Sequence, residues 1–153
     1  MFAIIFPGQG SQSIGMARDF YDNFDIVKNI FSEITDHTKI DINDIIFNDS
    51  NKKLNITEFT QICIYSISIS IYSTIKHIYK DDFLSKIKFM AGHSLGEYTA
   101  LAAADSITLK DCANLLKNRG KYMQNADPEN ISGMLAVIGL DINNLNIILN
   151  NLD

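Results

Sequence analysis

Apolar residues fall along this chain in three short unbroken runs, separated by stretches in which they recur every three or four positions. The first run, Met1–Phe6, ends at Pro7-Gly8 and suits a strand buried on both faces. Lys88–Gly92 is the second, with Phe89, Met90 and Ala91 inside it, and Gly133–Gly139 is the third. Helical spacing predicts a helix from near Ser13, over Met16, Ala17 and Phe20. A second helix carries Phe24, Val27, Ile30, Phe31 and Ile34, and the polar stretch Asn48–Asn55 reads as a loop.

Glu58–Lys80 carries two patterns at once. Ile67-Ser68-Ile69-Ser70-Ile71 alternates like a strand, while Ile64, Ile67, Ile71, Ile75 and Ile78 form a stripe at steps of three and four. The run has no Gly or Pro and is too long for a strand, so a helix is expected, opened by an Asn55–Glu58 capping box. Tertiary context then overrides the local β-propensity. Ser94–Ala104 predicts a further helix. Thr108 and Asp111 cap the next, which carries Leu109, Cys112, Ala113, Leu116 and Met123 and stops at Asp127-Pro128. Asp141 caps a last helix with Ile142, Leu145, Ile148, Leu149 and Leu152 on one face. Strands alternating with helices in this way predict an α/β fold with a mostly parallel sheet.

Composition narrows the function without naming it. The 153 residues include 46% hydrophobic and 20% charged, and the net charge is -5. No basic patch of the kind nucleic acid demands is visible. An acidic protein partner would need a local basic spot, because the overall field repels it. Cys63 and Cys112 lie far apart, with no CxxC spacing and no clustered histidines, so neither a metal site nor a disulfide framework is expected. No apolar stretch approaches the roughly 20 residues of a membrane span, and Met1–Phe6 is too short for a signal peptide. A cytoplasmic protein without a membrane partner is expected.

The strongest chemical motif is Gly92-His93-Ser94-Leu95-Gly96, a G-x-S-x-G sequence between a predicted strand and a predicted helix. A serine on such a turn has strained backbone angles, so its neighbours must lack bulk. The turn lifts the hydroxyl above the sheet edge, where the Leu95 amide and the following helix favour a developing oxyanion. Pro7-Gly8-Gln9-Gly10-Ser11-Gln12 is the second motif. It fails as a dinucleotide loop, because Ser13 stands where the third glycine belongs. It reads instead as a ligand-facing loop at the C-terminal edge of a strand. Taken alone, Arg119 reads as a solvated surface charge, and Gln61 is no more informative.

Gly92–Leu101 resembles the G-H-S-x-G-E elbow of malonyl-CoA:acyl carrier protein transacylases and of the acyltransferase domains of polyketide and fatty acid synthases. Phe6–Gln12 is similar to that family's opening motif, and Asn118–Gln124 to its R-G-x-x-M-Q segment. Three motifs in order make the resemblance specific, and it is greatest to the bacterial stand-alone transacylase, over its N-terminal part. It implies an α/β-hydrolase-like acyltransferase fold, with residues 1–127 as part of the large domain and 128–153 as the start of a small ferredoxin-like subdomain. It implies Ser94 as the nucleophile, the backbone amides of Gln9 and Leu95 as the oxyanion hole, and Arg119 as a clamp on the malonyl carboxylate. Gln61 falls where the family has a pocket-lining glutamine, although Ile62 follows it where proline is usual. His93, beside Ser94 on a tight turn, is expected to point elsewhere. Malonyl-CoA and acyl carrier protein are the implied substrate and partner, in fatty acid biosynthesis, with no cofactor.

The family's base is a histidine late in its sequence, whereas the histidines here are His37, His77 and His93, none of which follows Ser94. The chain therefore reads as a truncated transacylase. Three readings stay open: a malonyl transferase, a serine esterase using the same elbow, and a catalytically impaired remnant that binds a partner. Arg119 separates the first two, because an esterase for neutral esters has no use for a guanidinium.

Overall fold

The structure is a computed structural model that describes residues 1–127 and 137–151. The element order is β1 (Phe2–Phe6), α1 (Arg18–Asn23), α2 (Asp25–Thr38), α3 (Ile42–Phe47), α4 (Thr57–Leu84), β2 (Ile87–Gly92), α5 (Leu95–Ala103), α6 (Leu109–Gln124) and α7 (Ile142–Leu149). β1 and β2 pair in parallel, with Ala3 opposite Phe89 and Phe6 opposite Gly92. Parallel pairing brings both C-terminal strand ends to one edge. The Pro7–Gln12 loop and the Ser94 turn therefore leave the sheet side by side.

α4 resolves the conflict in its sequence in favour of the helix. Ile62, Ile64, Tyr65, Ile67, Ile69 and Tyr72 are buried in it, and α2, α5 and α6 pack around it. Two of the buried polar residues turn their hydroxyls onto the helix itself, while the buried Ser70 Oγ has no partner among the described residues. Ser66 donates to the Ile62 carbonyl at 2.7 Å and Thr74 to that of Ser70 at 2.8 Å, so these two enter the core at little cost. Regular geometry breaks at Lys80, where φ is 46°.

Several expectations are corrected. The Asn55–Glu58 capping box does not form: Asn55 Oδ1 accepts from Gln12 Nε2, and the first amide of α4, at Thr57, donates to Gln124 Oε1 from α6. The helix expected from Ser13 begins at Arg18, because Gly15 and Ala17 both take positive φ and hold the intervening residues in turns. Asp41 caps α3, accepting from the Asp44 amide, and this helix was not legible because six residues are too few to show a period. The strands are not buried on both faces: Phe6 is buried, but Ile5 is 75% exposed and Phe89 70%. Among the described residues the helices cover Ile4 and Phe6 and leave the alternate positions open. The third strand, Gly133–Gly139, lies mostly outside the described residues, and Val137–Leu140 is not extended into one. Asp141 does cap α7, yet no residue of that helix is buried. The Thr108–Asp111 cap forms as expected, with the Asp111 amide donating to Thr108 Oγ1 at 3.1 Å.

α6 lies against the start of α4, and Gly120 sets their separation. A Cβ there would stand 2.9 Å from the carbonyl oxygens of Thr57 and Glu58. Overpacking of this kind costs about 1–3 kcal/mol, and helix propensity returns up to about 1 kcal/mol. Gly120→Ala is expected to lower stability by about 1–2 kcal/mol net, read as a lower urea midpoint at unchanged slope.

The cysteines are buried thiols. Burial, reinforced by Asp49, pushes Cys63 from 9.0 up to about 12. Burial also pushes Cys112 from 9.0 up to about 11, against a smaller opposing effect of its contact with Tyr65. The fold thus holds these protons more tightly than the unfolded chain does. Their contribution to stability is complete below pH 9.0 and is lost as the pH rises through 11 to 12. Urea midpoints should fall as the pH rises from 9.0 toward 12, and at about pH 8 neither thiol should react with a disulfide reagent until urea unfolds the chain.

Candidate active site

Ser94 follows β2 with φ 55° and ψ -112°, a backbone conformation that side-chain-bearing residues rarely adopt. The turn is held by short-range bonds. The His93 amide donates to the Phe6 carbonyl at 3.1 Å, Gly96 to His93 at 2.9 Å and Glu97 to Ser94 at 3.1 Å. Gly96 is required by closeness rather than by φ: a Cβ there would meet the carbonyl oxygen of Phe6 and, at 2.7 Å, that of Pro7. The elbow and the Pro7–Gln12 loop are therefore in direct backbone contact. His93 lies over the loop, its Nδ1 2.5 Å from where a Cβ on Gly8 would be.

A serine at a helix N-cap ordinarily commits its oxygen to an amide of the first turn. Ser94 stands at the N-cap of α5, yet makes no capping bond. Its hydroxyl instead faces α6, where Arg119 Nη2 donates to Oγ at 3.0 Å. Arg119 Nη1 donates to Gln61 Oε1 at 2.5 Å, and Gln61 Nε2 to Met123 Sδ at 3.1 Å. Residues from α4, the elbow and α6 thus form one hydrogen-bonded chain at the sheet edge. Gln61 is fully buried, Arg119 half-buried and Ser94 exposed. The guanidinium carbon is 5.6 Å from the centre of the Tyr98 ring, within cation–π range. Beside it opens a cavity of about 510 Å³ lined by Tyr98, Leu115, Asn118, Arg119, Tyr122 and Met123.

The five residues singled out in the sequence divide into two groups. Ser94, Arg119 and Gln61 are joined directly. Gln9 and Leu95 flank the elbow, and their backbone amides have no acceptor among the described residues. The Gln9 side chain donates to Thr57 Oγ1 at 3.2 Å. No histidine hydrogen-bonds to Ser94 among the described residues, and His37 and His77 are exposed on other helices. Met123 and Tyr98 carried no separate sequence signal, because helical spacing and motif membership already accounted for them. Thr57 and Gln124 meet across 67 positions, which no local pattern reveals. Among the described residues no group of three or more His, Cys, Asp or Glu could hold a metal ion. No helix among them is long and apolar enough to cross a membrane.

Comparison with known proteins gives this arrangement relatives. The chain is 37% identical over 150 residues to the malonyl CoA-acyl carrier protein transacylase of Staphylococcus aureus, covering 98% of this chain and 46% of the relative. The chain thus spans about half the length of the curated relatives it matches. The crystal structure of the corresponding Clostridium perfringens transacylase superposes with a TM-score of 0.81 at 36% identity, over 97% of this chain and 45% of that one. A malonyl-transacylase solved in complex with its type II polyketide synthase acyl-carrier protein superposes at 0.73, with 37% identity, over 82% and 39% of the two chains. The acyl transferase domain matches residues 3–148, a span that takes in the elbow, the loop facing it and Arg119, and the chain belongs to that family.

Proposed function

We propose that these residues form the nucleophile and carboxylate-binding part of an enzyme that moves malonyl groups from coenzyme A to acyl carrier protein. The observation that carries this reading is the Gln61–Arg119–Ser94 chain of hydrogen bonds. It sets a guanidinium within reach of any acyl group attached to Ser94. Malonyl is an acyl group with a free carboxylate, and a planar fork with one arm fixed can meet that carboxylate in two parallel bonds. The names of the relatives supply the donor and acceptor, coenzyme A and acyl carrier protein.

In this reading Ser94 Oγ attacks the thioester carbonyl. The new Oγ–C bond forms, the C–S bond breaks, and the serine proton ends on the coenzyme A sulfur. The amides of Gln9 and Leu95 receive the oxyanion, at the positive end of α5. The carrier's thiol then reverses the sequence, leaving malonyl on the carrier. Arg119 offers only donors and no acceptor, and serves as clamp rather than base. In this reading the base is the late histidine that the family resemblance implies; no histidine among the described residues hydrogen-bonds to Ser94. Without that base, acylation of Ser94 is slower by several orders of magnitude but not abolished. An esterase for neutral esters gains nothing from a cation bonded to its nucleophile, so the esterase reading is the weaker one.

Two measurements test the proposal. Arg119 is half-buried, so its bonds to a carboxylate are worth about 1.5–3 kcal/mol rather than the larger value of a sealed ion pair. Malonyl-CoA should therefore bind the chain more tightly than acetyl-CoA by about 10- to 150-fold, and Arg119→Ala should erase that preference. Equal affinities in the parent chain would overturn the carboxylate assignment. Prolonged incubation with malonyl-CoA should also leave a malonyl adduct on Ser94, detected by peptide mass spectrometry and absent from Ser94→Ala. An adduct that persists in Ser94→Ala would show that another residue is the nucleophile.

A further inference from the structure

The loop carrying Gln9 is tied down by side chains that no step of acyl transfer uses. Gln9 Nε2 donates to Thr57 Oγ1 at 3.2 Å. Gln12 Nε2 donates to Asn55 Oδ1 at 2.9 Å, while Gln12 Oε1 accepts from the Gly10 amide at 2.8 Å. Ser11 Oγ closes the loop onto the Gly8 carbonyl at 2.9 Å. Both outward anchors, Asn55 and Thr57, sit at the start of α4. That helix start is fixed in turn by α6, where Gln124 Oε1 accepts the Thr57 amide at 3.1 Å. Arg119 lies on the same helix as Gln124, and Gln61 lies one turn into α4.

We infer that Thr57 and Gln124 are positioning residues for the Gln9 amide, an inference that rests on the oxyanion role proposed above. Thr57 uses both ends of its polar inventory at one place. Its amide is held by α6 and its hydroxyl holds the loop. The amide-bearing loop and the carboxylate-binding arginine are thereby referenced to a single helix start. Transition-state donors must hold their place within about 0.5 Å, and a misplacement of about 1 Å costs about 100-fold in rate. The Gln9–Thr57 bond is exposed, so its loss should loosen the loop rather than displace it, with a smaller effect of about 5- to 10-fold.

Thr57→Val removes the hydroxyl and keeps both the shape and the backbone amide that Gln124 accepts. Thr57→Ser restores the hydroxyl. In the unliganded chain, NMR order parameters at the Gln9 and Gly10 amides should fall in Thr57→Val from a rigid value near 0.85 toward 0.6 and recover in Thr57→Ser. Single-turnover acylation of Ser94 by malonyl-CoA should slow about 5- to 10-fold at saturation, with the half-saturating concentration unchanged and Thr57→Ser again restoring it. A loop as rigid in Thr57→Val as in the parent chain would sink the inference, and so would a loosened loop with undiminished acylation. If the loop loosens but the parent chain never acylates Ser94, the brace stands and the acyl-transfer reading falls instead.

Discussion

Everything at the candidate site follows from one strained residue. Ser94 holds a backbone conformation that costs of order 1–3 kcal/mol and persists only where its surroundings impose it. The imposition comes from the sheet. β1 and β2 end together, and the carbonyls at the end of β1 press against Gly96, so the chain must fold sharply into α5. The same geometry denies the serine its usual capping bond. A hydroxyl without an amide to accept from is available to a partner from elsewhere, and α6 supplies Arg119. Strain in the backbone thus becomes a free oxygen facing a cation.

Helix packing determines whether that cation arrives. α6 delivers Arg119 to the serine only because Gly120 lets it approach the carbonyls of Thr57 and Glu58. A glycine beside an arginine on a mostly exposed helix has little local justification. Its reason is the neighbouring helix, which also carries Gln61. The cores of α4, α2 and α6 therefore act on the site at a distance, by fixing a helix separation.

What could be read from the sequence and what could not divide by the range of the interactions. The Thr108 cap is set by a neighbour three residues away and the helix over Glu58–Lys80 shows its own stripe, so both were legible; the elbow, although the sheet imposes it, leaves its glycines at a fixed spacing in the sequence. α3 was too short to display a period, and the start of α4 is capped by a residue of another helix, which no local pattern can encode. An apolar run says nothing of how many layers lie against it, so the strands' single covered face is not written in their sequence. At the site, three motifs pointed to Ser94 and Arg119, while Gln61 looked doubtful because Ile62 follows it. Its burial and its bond to Arg119 show that the position does not depend on proline next door.

The anchor of Arg119 has an electrical consequence. Gln61 is a neutral amide, buried where a carboxylate would make an equally good hydrogen bond. A carboxylate would also cancel the guanidinium charge and leave nothing to attract an anion. The amide fixes geometry and leaves the charge whole. On a chain whose net charge is -5, that unspent charge is a small positive island in a repelling field. If the site takes the anionic acyl group proposed above, that group has to come within about a Debye length before it is drawn in. On the reading proposed above, selection by charge is thus confined to about the last 8–10 Å of approach.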